Sequence, residues 1–238
     1  MPSGLQEIPL ILPNGAVRPF FHRGSRSDLG AITQIFSQHD YSLDRLQRQQ
    51  DLLDYYAASL EAGKTPLIID AGANIGAAAV WFATMFPLAH VIAFEPDADN
   101  FRLLALNGQG LAVTPVQAAV GGADGRAALL DPGQGEWGYR TRADPDGACA
   151  MVALARVVAE QVAAGFAPFI AKIDIEGGED ELFRHDTGWV SDFPLLIVEL
   201  HDWLMPKAGT SRSFLRCVAG LDRDFVHINE NVFSVRNW

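Results

Sequence analysis

Residues 66–76 read Pro66-Leu67-Ile68-Ile69-Asp70-Ala71-Gly72-Ala73-Asn74-Ile75-Gly76. A short apolar run ends at an aspartate, a Gly/Asn turn follows, and an alanine-rich segment with helical character continues to Phe86. A buried strand that feeds a helix through such a turn is one half of a βαβ unit. Glycines at the turn let a ligand approach the backbone closely, because no Cβ stands in the way. In open parallel sheets, ligands bind in the crevice beyond the carboxyl ends of the strands. Asp70, Gly72, Ala73, Asn74 and Gly76 are therefore the first candidate binding residues.

Working outward, the same alternation continues on both sides. His90 to Glu95 reads as a strand, Pro96 opens a helix to about Asn107, and Val113 to Val120 is a third strand. Between Gly121 and Val152 the helical pattern lapses, and short strand-like pieces such as Ala127 to Leu130 point to irregular structure or an antiparallel excursion. A helix from about Arg156, a strand Phe169–Ile175, a helix from Glu179 and a strand Leu195–Leu200 then restore the rhythm of a parallel sheet. A helix near Ser213–Ala219 precedes Phe225–Ile228 and Val232–Val235, which read as a closing hairpin across Asn229-Glu230-Asn231. Upstream, the stretch to about Pro19 shows little periodicity. Leu29–Phe36 and Leu43–Leu60 carry helical spacing, with Leu46, Leu53, Tyr56 and Leu60 on one face and Gly63 as the stop. The expected organisation is an N-terminal helical or lid segment, 1–65, packed on an α/β core, 66–238, in a single domain.

The chain has 238 residues, 49% of them hydrophobic, enough apolar matter for a sizeable core. Its formal net charge is −11, and no cluster of Lys and Arg offers a groove for nucleic-acid phosphates. The scatter from Arg18 to Arg26 is broken by Pro19, Phe20 and Phe21 and reads as solvated surface. The first residues lack a basic, apolar leader, and no run approaches 18 apolar residues, so a cytoplasmic protein without nucleic-acid or membrane partners is expected. Cys149 and Cys217 lack metal-ligand spacing and read as buried free thiols. Oligomeric state leaves no trace in the sequence.

Glu95 stands 25 residues beyond Asp70, where a carboxylate can accept both hydroxyls of an adenosine ribose. Two cofactor classes fit an adenosine there. Dinucleotide sites use GxGxxG around a pyrophosphate, whereas this turn is Gly72-Ala73-Asn74-Ile75-Gly76 behind an aspartate. An acid just before the loop suits a ligand with a cationic end, such as S-adenosylmethionine, which has an α-ammonium and a sulfonium but no phosphate. A tight turn that binds nothing is the plain alternative, and Glu95-Pro96 downstream counts against it.

The stretches Ile68 to Gly76, Phe94-Glu95-Pro96 and Lys172-Ile173-Asp174-Ile175-Glu176-Gly177-Gly178-Glu179 resemble, in this order, the FkbM family of methyltransferases. Gln34-Ile35-Phe36 and Asp40-Tyr41 resemble the start of that family's domain, so the likeness spans roughly residues 30 to 202. It implies a class I methyltransferase (Rossmann-like) fold: a seven-stranded, mostly parallel sheet with helices on both faces and an antiparallel strand near the C-terminus. It also implies S-adenosylmethionine as cofactor and methyl transfer to a hydroxyl of a small molecule, natural product or sugar. Val152-Ala153-Leu154-Ala155-Arg156 departs from the Thr-Leu-Asp-like stretch common in the family, and no role is assigned there.

In the implied topology the strand ending at Asp174 lies beside the first strand, with the strand ending at Glu199 next to it. Asp174, Glu176, Glu199, His201 and Asp202 then converge on one crevice. Asp70, Gly72, Ala73, Asn74, Gly76, Glu95, Pro96 and Asp174 form the expected cofactor set, with Ala119 and Val120 flanking the adenine. An alcohol acceptor needs a general base. His201 is preferred because an unperturbed imidazole titrates near neutral pH; Glu199 would orient it, and Asp174 would contact the cofactor or orient the acceptor. Tyr41 and Trp203 are candidates for the acceptor pocket, while Tyr55 and Tyr56 have the spacing of core residues. Glu179, Asp180 and Glu181 read as the acidic first turn of a helix. The expected chemistry uses no metal, although carboxylates plus a histidine at strand ends can hold Mg²⁺. The rival functions are an NAD(P)-dependent oxidoreductase on a similar sheet and a cofactor-binding protein without catalysis.

Overall fold

The structure, a computed structural model, describes residues 4–130 and 140–238. Residues 1–3, part of the stretch read for a leader, and 131–139, part of the irregular stretch, lie outside the described residues. The chain runs β1 (Gln6–Ile11), β2 (Val17–His22), α1 (Arg26–Ile32), α2 (Gln49–Glu61), β3 (Thr65–Ala71), α3 (Ala77–Met85), β4 (His90–Phe94), α4 (Ala98–Asn107) and β5 (Val113–Val116). It continues through β6 (Ala119–Gly121), β7 (Gly125–Leu130), β8 (Arg140–Ala143), β9 (Cys149–Ala153), α5 (Leu154–Ala163) and β10 (Phe166–Ile173). It closes with α6 (Glu179–Leu182), β11 (Leu195–Glu199), α7 (Arg212–Ala219), β12 (Arg223–Ile228) and β13 (Asn231–Arg236).

Seven strands form the main sheet in the order β12-β13-β11-β10-β3-β4-β5. From β11 to β5 every neighbour pairs in parallel, and β13 runs antiparallel to both β11 and β12. This is the class I methyltransferase arrangement, with the expected closing hairpin. Asn229, between β12 and β13, takes φ 54, a left-handed conformation that asparagine tolerates better than most residues. The strand order reverses between β3 and β10, so the crevice at their carboxyl ends is the topological switch point.

Burial explains why β3 reads as a continuous apolar run. Leu67, Ile68 and Ile69 are fully buried, as expected for a central parallel strand covered on both faces, and each such side chain contributes about 1.5–3 kcal/mol of transfer free energy. Helix α3 is buried from Ala77 to Thr84, because the N-terminal segment covers the face that the sheet does not. Tyr41 stacks on Phe82 at 5.5 Å between ring centroids, and Phe36 meets Trp81 edge-on at 5.9 Å.

Three stretches differ from the sequence reading. The aperiodic N-terminus is a β-hairpin, β1–β2. Asn107, fully buried, pins it: Nδ2 donates to the carbonyls of Phe21 and Ile75, and Oδ1 accepts the Phe21 N–H. The strand expected over Val113–Val120 breaks at Gln117-Ala118, so β5 stays in the main sheet and β6 joins a second one, ordered β6-β9-β7-β8. That second sheet is the antiparallel excursion, although β6 and β9 pair in parallel. Finally, α2 buries Leu52 and Ser59 rather than a face centred on Leu53 and Leu60. Tyr55 and Tyr56 pack on Phe169, with centroids at 6.3 and 5.4 Å. Cys149 and Cys217 are free and only half-buried.

Candidate active site

Glycine 72 leaves β3 with φ 79, and a Cβ there would fall 1.7 Å from the carbonyl oxygen of Asp174. The turn after β3 and the turn after β10 are therefore in backbone contact, and only glycine permits it. Asn74 follows at φ 50. Gly76, at φ 88, opens α3 and lets it approach Leu104 of α4, which an added Cβ would meet at 3.0 Å. Its role is helix packing.

A cleft opens beyond the ends of β3 and β4, lined by Gly72, Asn74, Glu95, Pro96, Ala119, Val120 and Asp174 from the expected set. Asn100, Ala118 and Thr141 also line it; nothing in their own neighbourhoods marks them, since Thr141 comes from β8 of the second sheet and Ala118 from the break that leads into β6. Glu95 is 5% exposed. Its Oε2 accepts the Asn74 N–H at 2.8 Å and its Oε1 the Asp97 N–H at 2.9 Å. Burial pushes its pKa up to about 7, against the pull of those two donors.

A second cavity shares Gly72, Asn74, Asp174 and Glu176 with the first. Tyr41, Lys172, Glu199 and Glu230 complete its polar wall, Ala73 adds a small apolar side chain, and Ala31, Gln34 and Ile35 come from the N-terminal segment. Burial raises the Tyr41 phenol far above its ordinary pKa, so it stays neutral.

Asp70 lines neither cavity. It is fully buried, and Lys172 Nζ lies 3.1 Å from its Oδ1. The same ammonium donates to the Gly72 carbonyl at 2.7 Å and sits 3.4 Å from Asp174 Oδ2. Burial works against its charge, but Asp70 and Asp174 hold its pKa well above the ordinary lysine value. The acid before the loop is thus spent on an internal ion pair that braces the turn.

His201 is 1% exposed and also lines neither cavity. Its Nδ1 lies 3.1 Å from Glu179 Oε1, while its Nε2 faces Glu176, Glu199 and Asp174 oxygens at 3.3, 3.5 and 3.7 Å. Burial pulls its pKa down, yet Glu179, Asp174 and Glu176 more than offset this and raise it to about 10. A ring held in that state at neutral pH is poorly suited to the base role expected from an unperturbed imidazole. Burial first, and the Asp174 charge second, raise both Glu176 and Glu199 above the carboxylate range. Glu176 holds its place through a left-handed backbone, φ 55. Glu179 does more than begin α6: fully buried, it also accepts the Ile175 N–H at 3.2 Å. Asp202 turns away and accepts from Thr210 Oγ1 at 3.3 Å. Trp203 is 63% exposed and lies outside the lining of both cavities.

Comparison with curated protein sequences finds no significant match. Among solved structures, the chain is similar to a fibrillarin pre-rRNA processing protein from Methanococcus jannaschii, at 11% identity and TM-score 0.42, over 74% of this chain and 66% of that one. It is similar to a methyltransferase from Geobacter sulfurreducens at 18% identity and TM-score 0.37, over 90% and 91% of the two chains. It is similar to a SAM-dependent O-methyltransferase from Thermotoga maritima at 13% identity and TM-score 0.37, over 98% and 78%. The family model described as "Methyltransferase FkbM domain" matches residues 70–230, the span that holds both glycine turns, Glu95 and the carboxylate cluster. The chain belongs to the FkbM methyltransferase family, and it is an S-adenosylmethionine-dependent methyltransferase.

Proposed function

We propose that the protein transfers a methyl group to a hydroxyl of a small molecule, with S-adenosylmethionine in the first cavity and the acceptor in the second. The observation that carries this reading is the junction: the two cavities meet at Gly72, Asn74, Asp174 and Glu176. The first cavity fits the cofactor chemically. Glu95 accepts the Asn74 and Asp97 N–H groups, with Asn100 as a further side-chain partner, and a carboxylate's roughly four lone-pair positions leave room for ribose hydroxyls, and Ala118, Ala119 and Val120 offer an apolar wall for adenine. Asn74 Oδ1 is buried without a hydrogen-bond partner, and the Asp174 and Glu176 carboxylates suit a cationic ligand.

The cofactor, when bound, supplies a methyl on a sulfonium, an electrophile open to in-line displacement. The chain's own part is positioning and proton handling. Glu199, in the wall of the second cavity, accepts the hydroxyl proton in its ionised form, so turnover should rise as pH climbs toward its raised pKa of about 9, and Asp174 orients the acceptor at the junction. Tyr41, neutral and buried, closes the far wall. His201 is a positioning residue that holds Glu176 and Glu199 in place. The N-terminal segment supplies Ala31, Gln34, Ile35 and Tyr41 and so shapes acceptor choice.

Incubation with S-adenosylmethionine and a panel of polyhydroxylated, amine and activated-carbon acceptors tests the reading. O-methylated product that falls at least tenfold in kcat for Glu199→Gln supports it. Product methylated only on nitrogen or carbon would refute it.

A further inference from the structure

Five carboxylates, those of Asp70, Asp174, Glu176, Glu179 and Glu199, stand against two cations, Lys172 and His201, at the ends of β10 and β11. Lys172 is committed to Asp70 and the Gly72 carbonyl. An acidic cluster alone proves nothing, but the histidine inside it is oriented in a particular way. Its ring is buried, and Nε2 makes no hydrogen bond among the described residues. That nitrogen points into a ring of oxygens: Glu176 Oε2, Glu199 Oε1 and Asp174 Oδ1. On the opposite side, Nδ1 faces the buried Glu179. A carboxylate behind one ring nitrogen, with the other nitrogen facing oxygen donors, is the arrangement that orients a histidine toward a metal ion.

We infer that Asp174, Glu176 and His201 Nε2 form a divalent-cation site, with Glu179 as the group that orients the imidazole. One donor atom from each of the three residues lies within 4.8 Å of the others. Ligands on an octahedral ion with bonds of 2.0–2.1 Å stand about 3 Å apart in cis positions, so the 3.3 Å spacing to Glu176 and the 3.7 Å spacing to Asp174 must contract by roughly 0.3 and 0.7 Å, within reach of side-chain rotation. Two carboxylates and one imidazole, open toward a polar cavity, suit Mn²⁺ or Mg²⁺ with water on the remaining positions. Asp174 and Glu176 belong to both cavities, so the ion stands at the junction where an acceptor oxygen arrives. Its use as a Lewis acid for that oxygen rests on the hydroxyl reading above.

The test is a Mn²⁺ titration of the chelator-stripped full chain, followed by electron paramagnetic resonance without any acceptor. One Mn²⁺ per chain is expected, displaced by excess Mg²⁺. Glu179→Gln should weaken it 10- to 100-fold, the usual effect of losing such a support, and His201→Ala by more. Circular dichroism reports whether each variant folds; if His201→Ala does not, Glu176→Gln at the half-buried rim replaces it. No Mn²⁺ bound by wild-type protein that still binds S-adenosylhomocysteine would overturn the inference. So would equal Mn²⁺ affinity in the wild type and the folded variants. Methylation of a hydroxyl by Mn²⁺-free protein would sink the Lewis-acid role and leave the hydroxyl reading intact. Mn²⁺ binding in a protein that methylates only amines would do the reverse.

Discussion

The two ends of the crevice treat buried acid in opposite ways. At the β4 end a single carboxylate, Glu95, meets two backbone N–H groups from the turns on either side of it. At the β10 and β11 ends four carboxylates crowd one buried histidine, and none of the three that face its Nε2 comes closer than 3.3 Å. The first is a single acid held by neutral hydrogen-bond donors. The second crowds acids whose pKa values burial and neighbouring charge raise above the ordinary range, which fits a place where protons or cations come and go.

The largest expected effect breaks the ion pair that joins the two ends. Lys172→Met removes the buried cation beneath the Gly72 turn and leaves Asp70 unpaired, so unfolding free energy should fall by about 3–5 kcal/mol, read from denaturant melts. A loss below 1 kcal/mol would mean that Asp70 needs no partner. Gly72→Ala comes next. The left-handed φ alone costs an alanine about 1–3 kcal/mol, and its Cβ would also collide with the Asp174 carbonyl, so the two turns must move apart; calorimetry should also find S-adenosylhomocysteine affinity sharply reduced.

A pH series separates the ends more finely. Glu95 has its pKa raised from 4.5 to about 7. The raised value stabilises the unliganded fold fully below pH 4.5, and this contribution is lost as pH rises through 7. Ligand binding has the opposite sign, because the carboxylate form accepts the ribose hydroxyls. S-adenosylhomocysteine affinity should therefore drop below pH 7, by at most about tenfold per pH unit, and proton release should accompany binding near neutrality. Affinity that is flat from pH 5.5 to 8 in Glu95→Gln but not in the wild type would assign the effect to this group. The smallest effect is expected from Trp203→Ala, outside both cavities, with stability within about 0.5 kcal/mol of the parent and affinity unchanged.

The contrast also governs what could be read without coordinates. The cleft around Glu95 is built from local signals: an apolar run, a glycine turn, an acid after the next strand. Such features occupy a few neighbouring residues, and the main sheet follows from their repetition. Asp70 was legible as an acid at the turn, but its partner Lys172 lies 102 positions away and only strand pairing brings the two together. The same holds for His201 and Glu179: each has a bland local explanation, a strand end and a helix first turn, and the cluster exists only once β10 and β11 lie side by side. The N-terminal hairpin escaped because Pro9 and Pro19 pair across it and the alternation is short. Gln117-Ala118 carries no turn signature, so the passage of the chain into the second sheet was equally silent.

The most direct test of the account is calorimetric titration of S-adenosylhomocysteine into wild type and Glu95→Ala at pH 8. Glu95 is expected to accept both ribose hydroxyls, and hydrogen bonds to a charged group contribute about 1.5–3 kcal/mol. The account predicts one site in the wild type and affinity weakened at least 10- to 100-fold in the variant, with its fold retained by circular dichroism. Wild-type affinity in Glu95→Ala would contradict it, because the cofactor would then lie somewhere other than the cleft at the end of β4.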